Sequence, residues 1–221
     1  MSKPASIVSP WQRALSDFVR APSAVLGLVL LLLVVVLALL APWITPQNPY
    51  DLMQLDVLDA RLAPGADSMV GGYRYWLGTD GQGRDLYSAI LYGLRISLLI
   101  AFSATVLVVI LGTLFGVISG YARGFTDAAI GRFMDLILAF PFLLIVLALS
   151  GAMTQRLTAL GIPEGNASRI TYLILVLGIF GWPYLARIVR GEVLSLRERE
   201  FVEAAIAMGA STPRILFREI L

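Results

Sequence analysis

Long uncharged apolar runs alternate with polar stretches of unequal length, and they cut the chain into four hydrophobic segments. The first, Ala24 to Ala41, is 18 residues without a charge, roughly 27 Å as a helix and close to the hydrocarbon thickness of a bilayer. It exceeds the apolar core of a cleavable signal peptide, and Pro42-Trp43 follows it as an interfacial anchor would, so it reads as a first span. The second, Ile96 to Tyr121, has 26 uncharged residues, more than a bilayer needs, so it must tilt or project at its ends. A short turn at Ala122 to Asp135 carries Arg123 and Arg132, and the third span follows from Leu136 to Met153. Pro141 lacks a backbone donor and is expected to kink it. Gln155 to Arg169 reads as a loop. Ile170 to Ala186 is the fourth span, with a second expected kink at Pro183. The fold class is therefore all-α, a polytopic transmembrane helical bundle with four spans in this chain.

The polar segments divide accordingly into an N-terminal segment 1–22, a first transmembrane helix 23–44, an extramembrane loop 45–93 and a membrane core 94–221. In the first, Trp11, Leu15, Phe18 and Val19 recur at helical spacing opposite Gln12, Ser16 and Asp17. That pattern fits a helix lying in the membrane interface with Arg13 and Arg20 toward the headgroups, and equally a solvated tail. The loop is rich in Pro and Gly, which excludes a long helix. Asp80, Arg84, Asp85 and Arg95 are close enough in sequence to form a charge network just outside the bilayer, and a clamp on the loop itself is the favoured role over a contact with a ligand. Gly112, Gly116 and Gly120 fall four apart on one helix face, a strip where another helix can approach closely. The partner across that seam is either within this chain or a second subunit.

Composition narrows the chemistry. With no Cys and no His, zinc sites, thiol nucleophiles and a Ser-His-Asp triad are excluded, and no catalytic, cofactor-binding or metal-binding residue is assigned. Lys3 is the only lysine, so there is no phosphate loop of the G-x-x-x-x-G-K-[ST] type. The four apolar runs contain no Asp, Glu, Lys or Arg, whereas ion-coupled carriers place ionisable groups at mid-membrane. A driving force must therefore reach the bundle by contact from outside the bilayer. With the N-terminus inside, eleven of the 17 basic residues are cytoplasmic and six external, the sense of the positive-inside rule.

The last stretch, Phe201 to Leu221, contains Glu203-Ala204-Ala205, three further residues and Gly209. Alanine-rich Glu203 to Met208 predicts a short helix. Gly209 can take the left-handed conformation that closes it, and Thr212-Pro213 supplies an N-cap and first-turn proline for a following helix. Phe201, Ala205 and Met208 share one face of the short helix; Val202, Ile206 and Gly209 share another.

The Glu-Ala-Ala, three residues, Gly pattern resembles the EAA signature of the inner-membrane permease subunits of bacterial ABC importers. Trp76 to Asp85, running into Leu91 to Leu98, is similar to the LGTDxxGRDxxS and YGxRxSL blocks of the dipeptide and oligopeptide branch, and Ala186 to Glu198 resembles that branch's approach to the EAA element. The likeness runs from Trp11 to Leu221. It implies about six spans, two of them beyond Leu221, with Glu203, Ala204, Ala205, Met208 and Gly209 in the contact with a cytoplasmic ATPase. It also implies a second homologous permease, two ATPase subunits using ATP and Mg, a periplasmic or lipid-anchored solute-binding protein, surrounding membrane lipid and no nucleic acid. The location would be the bacterial cytoplasmic membrane. The expected cargo is dipeptides or oligopeptides, with nickel chelates or glutathione as alternatives within the family. A non-transporting membrane scaffold, or an inactive truncated copy, is the alternative of another class.

Overall fold

The computed structural model describes residues 10–220; Lys3, with the rest of 1–9, and Leu221 lie outside the described residues. The main helices are α1 (Pro10–Arg20), α2 (Pro22–Ile44), α3 (Leu86–Ala122), α4 (Gly124–Ala139), α5 (Phe142–Ala159), α6 (Asn166–Leu196) and α7 (Glu200–Ala207). A short α8 (Thr212–Arg214) continues as a π-helical stretch, Ile215–Ile220. Four of these helices, α2, α3, α5 and α6, are long and apolar enough to cross a membrane. The chain forms two compact units, 1–98 and 99–221.

In the first unit, α2 begins after the extended residue Ala21 with Pro22 in its first turn, where a missing N–H costs nothing. It runs through Pro42 to Ile44, three residues past the apolar run Ala24 to Ala41, and Thr45 closes it with its N–H and hydroxyl both donating to the Ala41 carbonyl, at 3.2 and 2.7 Å. The loop that follows is held by buried polar groups. The Asp59 carboxylate, 2% exposed, accepts from the Ser68 hydroxyl at 2.6 Å, the Met69 N–H at 2.7 Å and the Tyr75 hydroxyl at 2.8 Å. Burial pushes this carboxyl up, but the three hydrogen bonds outweigh it and hold the group below the ordinary carboxylate range. Its contribution to loop stability is thus present above that range and lost as pH falls through it. Asp59→Ala strands three donors, a loss of about 2–4 kcal/mol. The expected result is at least tenfold faster tryptic cleavage at Arg61 and Arg74 with unchanged helix content; wild-type cleavage rates would show that the hub does not hold the loop.

Gln47, also buried, ties the two ends of the loop together: its side-chain amide donates to the carbonyls of Gln54 at 2.8 Å and Gly83 at 3.3 Å, and its carbonyl accepts from the Asp85 N–H at 2.8 Å. Gly83 has φ +75 and lies against the Asp56 carbonyl where a Cβ would stand, so only glycine fits there. Next in the chain, Asp85 accepts from the Ser88 N–H at 2.9 Å and from the Ser88 hydroxyl. This N-cap starts α3 at Leu86, well before the expected loop end at Gly93.

In the second unit, the predicted turn 122–135 is helical. Arg123, with φ 55, is the single residue between α3 and α4. The third apolar run does not kink at Phe140-Pro141; it breaks. Phe140 is extended at ψ 135, Pro141 caps α5, and the two helices are separate elements because the residue before proline disfavours the helical region. A cleft of about 280 Å³ opens at the break, lined by Phe140, Phe142, Phe180 and Tyr184 among others. The loop expected at Gln155 to Arg169 shrinks to 160–165, and α6 extends ten residues beyond the expected Ala186. Pro183 lies inside α6, which continues through it. Met134 and Ile137 of α4 pack with Trp182 and Ala186 of α6, with Leu111 and Phe115 of α3 against them. A second cluster joins Leu157 of α5 to Tyr172 and Val176 of α6, and the Tyr172 hydroxyl donates to the Val146 carbonyl at 2.6 Å.

Candidate functional site

The glycine strip lies against α6. A Cβ added at Gly112 would stand 2.8 Å from the Leu185 Cβ, at Gly116 2.7 Å from the Ala186 carbonyl oxygen, and at Gly120 2.8 Å from the Val193 Cβ. The seam is internal to this chain, and each glycine permits an approach that any larger residue would block. Gly178 extends the same close packing from the α6 side, against Leu107. It escaped the sequence reading because it has no small neighbour four residues away.

Where this seam ends, polar groups fasten α3, α4 and α6. The Arg190 guanidinium grips the Asp127 carboxylate with two bonds of 2.6 Å, and the Ser119 hydroxyl donates to the same carboxylate. Hydrogen bonds from Arg190 and Ser119 hold the Asp127 carboxyl down at about 2, so the pair stays intact until pH falls toward that value. Arg197 donates to the Gly120 carbonyl at 2.8 Å, satisfying one of the carbonyls left free at the end of α3. Arg187 adds a bond to Asp135 at 2.6 Å. The three arginines lie on α6 and at its C-cap, before α7, and these pairs were not singled out from sequence: their partners are 52 to 77 residues away, beyond any local pattern.

The signature helix α7 starts at Glu200, three residues before the expected Glu203. Glu200 and Glu203 lie in its first turn, where the helix dipole favours negative charge. Its end follows the Schellman pattern: the Ala210 N–H donates to the Ala205 carbonyl at 3.0 Å and the Gly209 N–H to the Ile206 carbonyl at 2.9 Å, with Gly209 at φ +80. The next helix begins one residue earlier than expected: Ser211 takes the N-cap place, without a side-chain hydrogen bond, and Thr212 is already helical. The faces of α7 divide differently from the expectation. Val202 and Ala205 are buried and α7 packs on the stretch 215–220, whereas Glu203, Ala204, Met208 and Gly209 are exposed. Phe201, Ile206 and Met208 stand 48%, 51% and 82% exposed. Ala205, expected at the contact with a partner, faces inward and supports the helix instead.

The four loop charges do not form the expected network; no ion pair joins them among the described residues. Asp80 accepts from the backbone N–H groups of Gln82 at 2.8 Å and Arg84 at 3.0 Å, and Asp85 is used as the cap of α3. Arg84 leaves its Nε buried without a hydrogen-bond partner, and Arg95 is exposed on α3. Backbone donors at tight turns lie within reach of a short carboxylate at no cost in side-chain order, so they take the acceptors before a flexible arginine can.

Two family models match the chain. Residues 112–221 match the binding-protein-dependent transport system inner membrane component, and residues 9–64 the N-terminal TM domain of oligopeptide transport permease C. Among similar curated proteins, the oligopeptide transport system permease protein OppC of Haemophilus influenzae is 35% identical over 96% of this chain and 62% of its own length. The dipeptide transport system permease protein DppC of Alkalihalophilus pseudofirmus is 34% identical over 97% and 63%. The glutathione transport system permease protein GsiD of Pectobacterium atrosepticum is 32% identical over 98% and 64%. The chain thus spans a little under two thirds of the length of these relatives, and nearly all of its own length is matched. The first family model covers the glycine seam, the arginine clasp and α7 together, and the chain belongs to the ABC importer inner-membrane permease family, in its dipeptide and oligopeptide branch.

Proposed function

We propose that this chain is a permease subunit of an ATP-driven importer that carries dipeptides or oligopeptides across the cytoplasmic membrane, and that α7 is its coupling element. In this reading the N-terminus is cytoplasmic and the chain pairs with a second, similar permease to enclose the path. It receives cargo from a periplasmic or lipid-anchored binding protein and changes access as two ATPase subunits close and open. The chain makes and breaks no covalent bond and binds no cofactor; ATP and Mg act on the partner subunits. The relatives' names cover oligopeptides, dipeptides and glutathione, whose common chemistry is a short amide backbone with charged ends.

The observation that carries the proposal is the exposure pattern of α7: Val202 and Ala205 form a buried stripe that anchors it, while Phe201, Met208 and Ile206, on the two flanks of that stripe, stay exposed. A short helix with three large exposed apolar side chains needs a partner groove. The chain has no cysteine, so single-cysteine variants report one position each. In membranes containing the complete transporter, Met208→Cys and Ala204→Cys are expected to cross-link to an ATPase subunit, and the inward-facing Ala205→Cys at least tenfold less. Absence of the adduct while uptake is running would sink the coupling role.

A further inference from the structure

We propose that α1 is a membrane-surface helix, lying in the headgroup region at the entry of α2 with its apolar face in lipid and its arginines among the phosphates. Sequence spacing left a solvated tail open; the structure forms an unbroken helix, Pro10–Arg20, joined to α2 through the single residue Ala21. At about 100° per residue, Trp11, Ala14, Leu15, Phe18 and Val19 occupy one arc of roughly 140° and Gln12, Arg13, Ser16, Asp17 and Arg20 the opposite one. The segregation is complete over the ten residues 11–20. Trp11, Leu15 and Val19 are 85%, 66% and 64% exposed, so this face is not spent on packing within the chain.

Three observations select lipid as the occupant. The one-residue link to a span keeps every residue of α1 within about 16 Å of the point where α2 enters the bilayer, which makes the surface continuous with a membrane contact already required. The polar arc carries Arg13 and Arg20 against the single acid Asp17, a net positive face that complements anionic headgroups. The apolar face holds four large side chains on one 11-residue helix, short of the roughly 800 Å² per partner that a stable protein interface buries. The proposal needs only that α2 crosses a membrane and is independent of the cargo and of the coupling role.

The test uses the complete transporter in vesicles of phosphatidylcholine and phosphatidylglycerol, with a nitroxide label on Leu15→Cys or Ser16→Cys in the otherwise cysteine-free chain. Relaxation by oxygen, which concentrates in lipid, and by a water-soluble nickel chelate is then compared. The expected result is an oxygen-to-chelate ratio at least fivefold higher for Leu15→Cys than for Ser16→Cys. Equal, chelate-dominated ratios at both positions would mean a solvated helix and overturn the proposal. Protection of Leu15→Cys from both reagents would overturn it in favour of a protein partner.

Discussion

Gly116→Leu is expected to leave little assembled protein in the membrane, and Gly116→Ala to lower the thermal unfolding midpoint of the purified transporter. At this position a Cβ meets the backbone carbonyl of Ala186 at 2.7 Å and the Val189 Cβ at 2.7 Å. A backbone oxygen cannot swing aside as the end of a side chain can, so α3 and α6 must separate. Overpacking of this kind typically costs about 1–3 kcal/mol, and leucine, the larger of the two side chains, forces the helices further apart than alanine does. The separation would also pull Arg197 from the Gly120 carbonyl of α3 and strain the α4–α6 pair Asp127–Arg190, whose carboxylate is tied to Ser119 of α3. Gly151→Ala on α5 is the control, with nothing within 4 Å of the added Cβ. There the better helix propensity of alanine predicts a neutral or slightly stabilising change. Equal midpoints for Gly116→Ala and Gly151→Ala would mean that the seam is not tightly packed in the membrane.

Gly209→Val should cut uptake at least tenfold while insertion and the unfolding midpoint stay near wild type. Gly209 has φ +80 and open space around the position of a Cβ, so the substitution introduces backbone strain without a clash. Left-handed geometry costs roughly 1–2 kcal/mol for an L-residue and more for a β-branched one. That is enough to open the two hydrogen bonds made by Gly209 and Ala210 and to let the last turn of α7 unwind. Glu203, Ala204 and Met208 would then lose their fixed presentation, although Val202 and Ile215 remain buried as anchors. ATP hydrolysis should persist without transport. Gly209→Asn separates conformation from mere size, because asparagine enters the left-handed region readily; it should retain most of the uptake. A valine variant with wild-type uptake, or an asparagine variant as defective as valine, would refute the role given to this turn.

Both substitutions act on α6 or its continuation, and the physical sequence between them is short. The seam fixes α6 against α3, the Arg190 and Arg197 contacts fasten its end, and three residues later α7 begins. A displacement of α7 is therefore delivered to a helix that is tightly packed rather than free to absorb it, as transmission between packed elements requires.

The linear order of residues determined the helical class, the four apolar segments, the closure of α7 at Gly209 and the existence of a close-packing glycine strip. Each of these is written in hydrophobic runs, helix propensity or spacing along one helix face, quantities that depend on neighbours within a few positions. What the tertiary structure decided depends on residues far apart in the chain. Two prolines in apolar runs were expected to act alike. Pro183 is buried beside Trp182 in the α3–α4–α6 core and its helix continues, whereas Phe140 and Pro141 are exposed and their helix breaks. Packing on both sides held the proline-containing helix together in one case, and in the exposed case the residue before proline left the helical region. In the same way, Gly116 found α6 rather than another subunit, and Ala205 turned inward. Each outcome was set by which group came within contact distance after the chain had folded, and no local pattern carries that information.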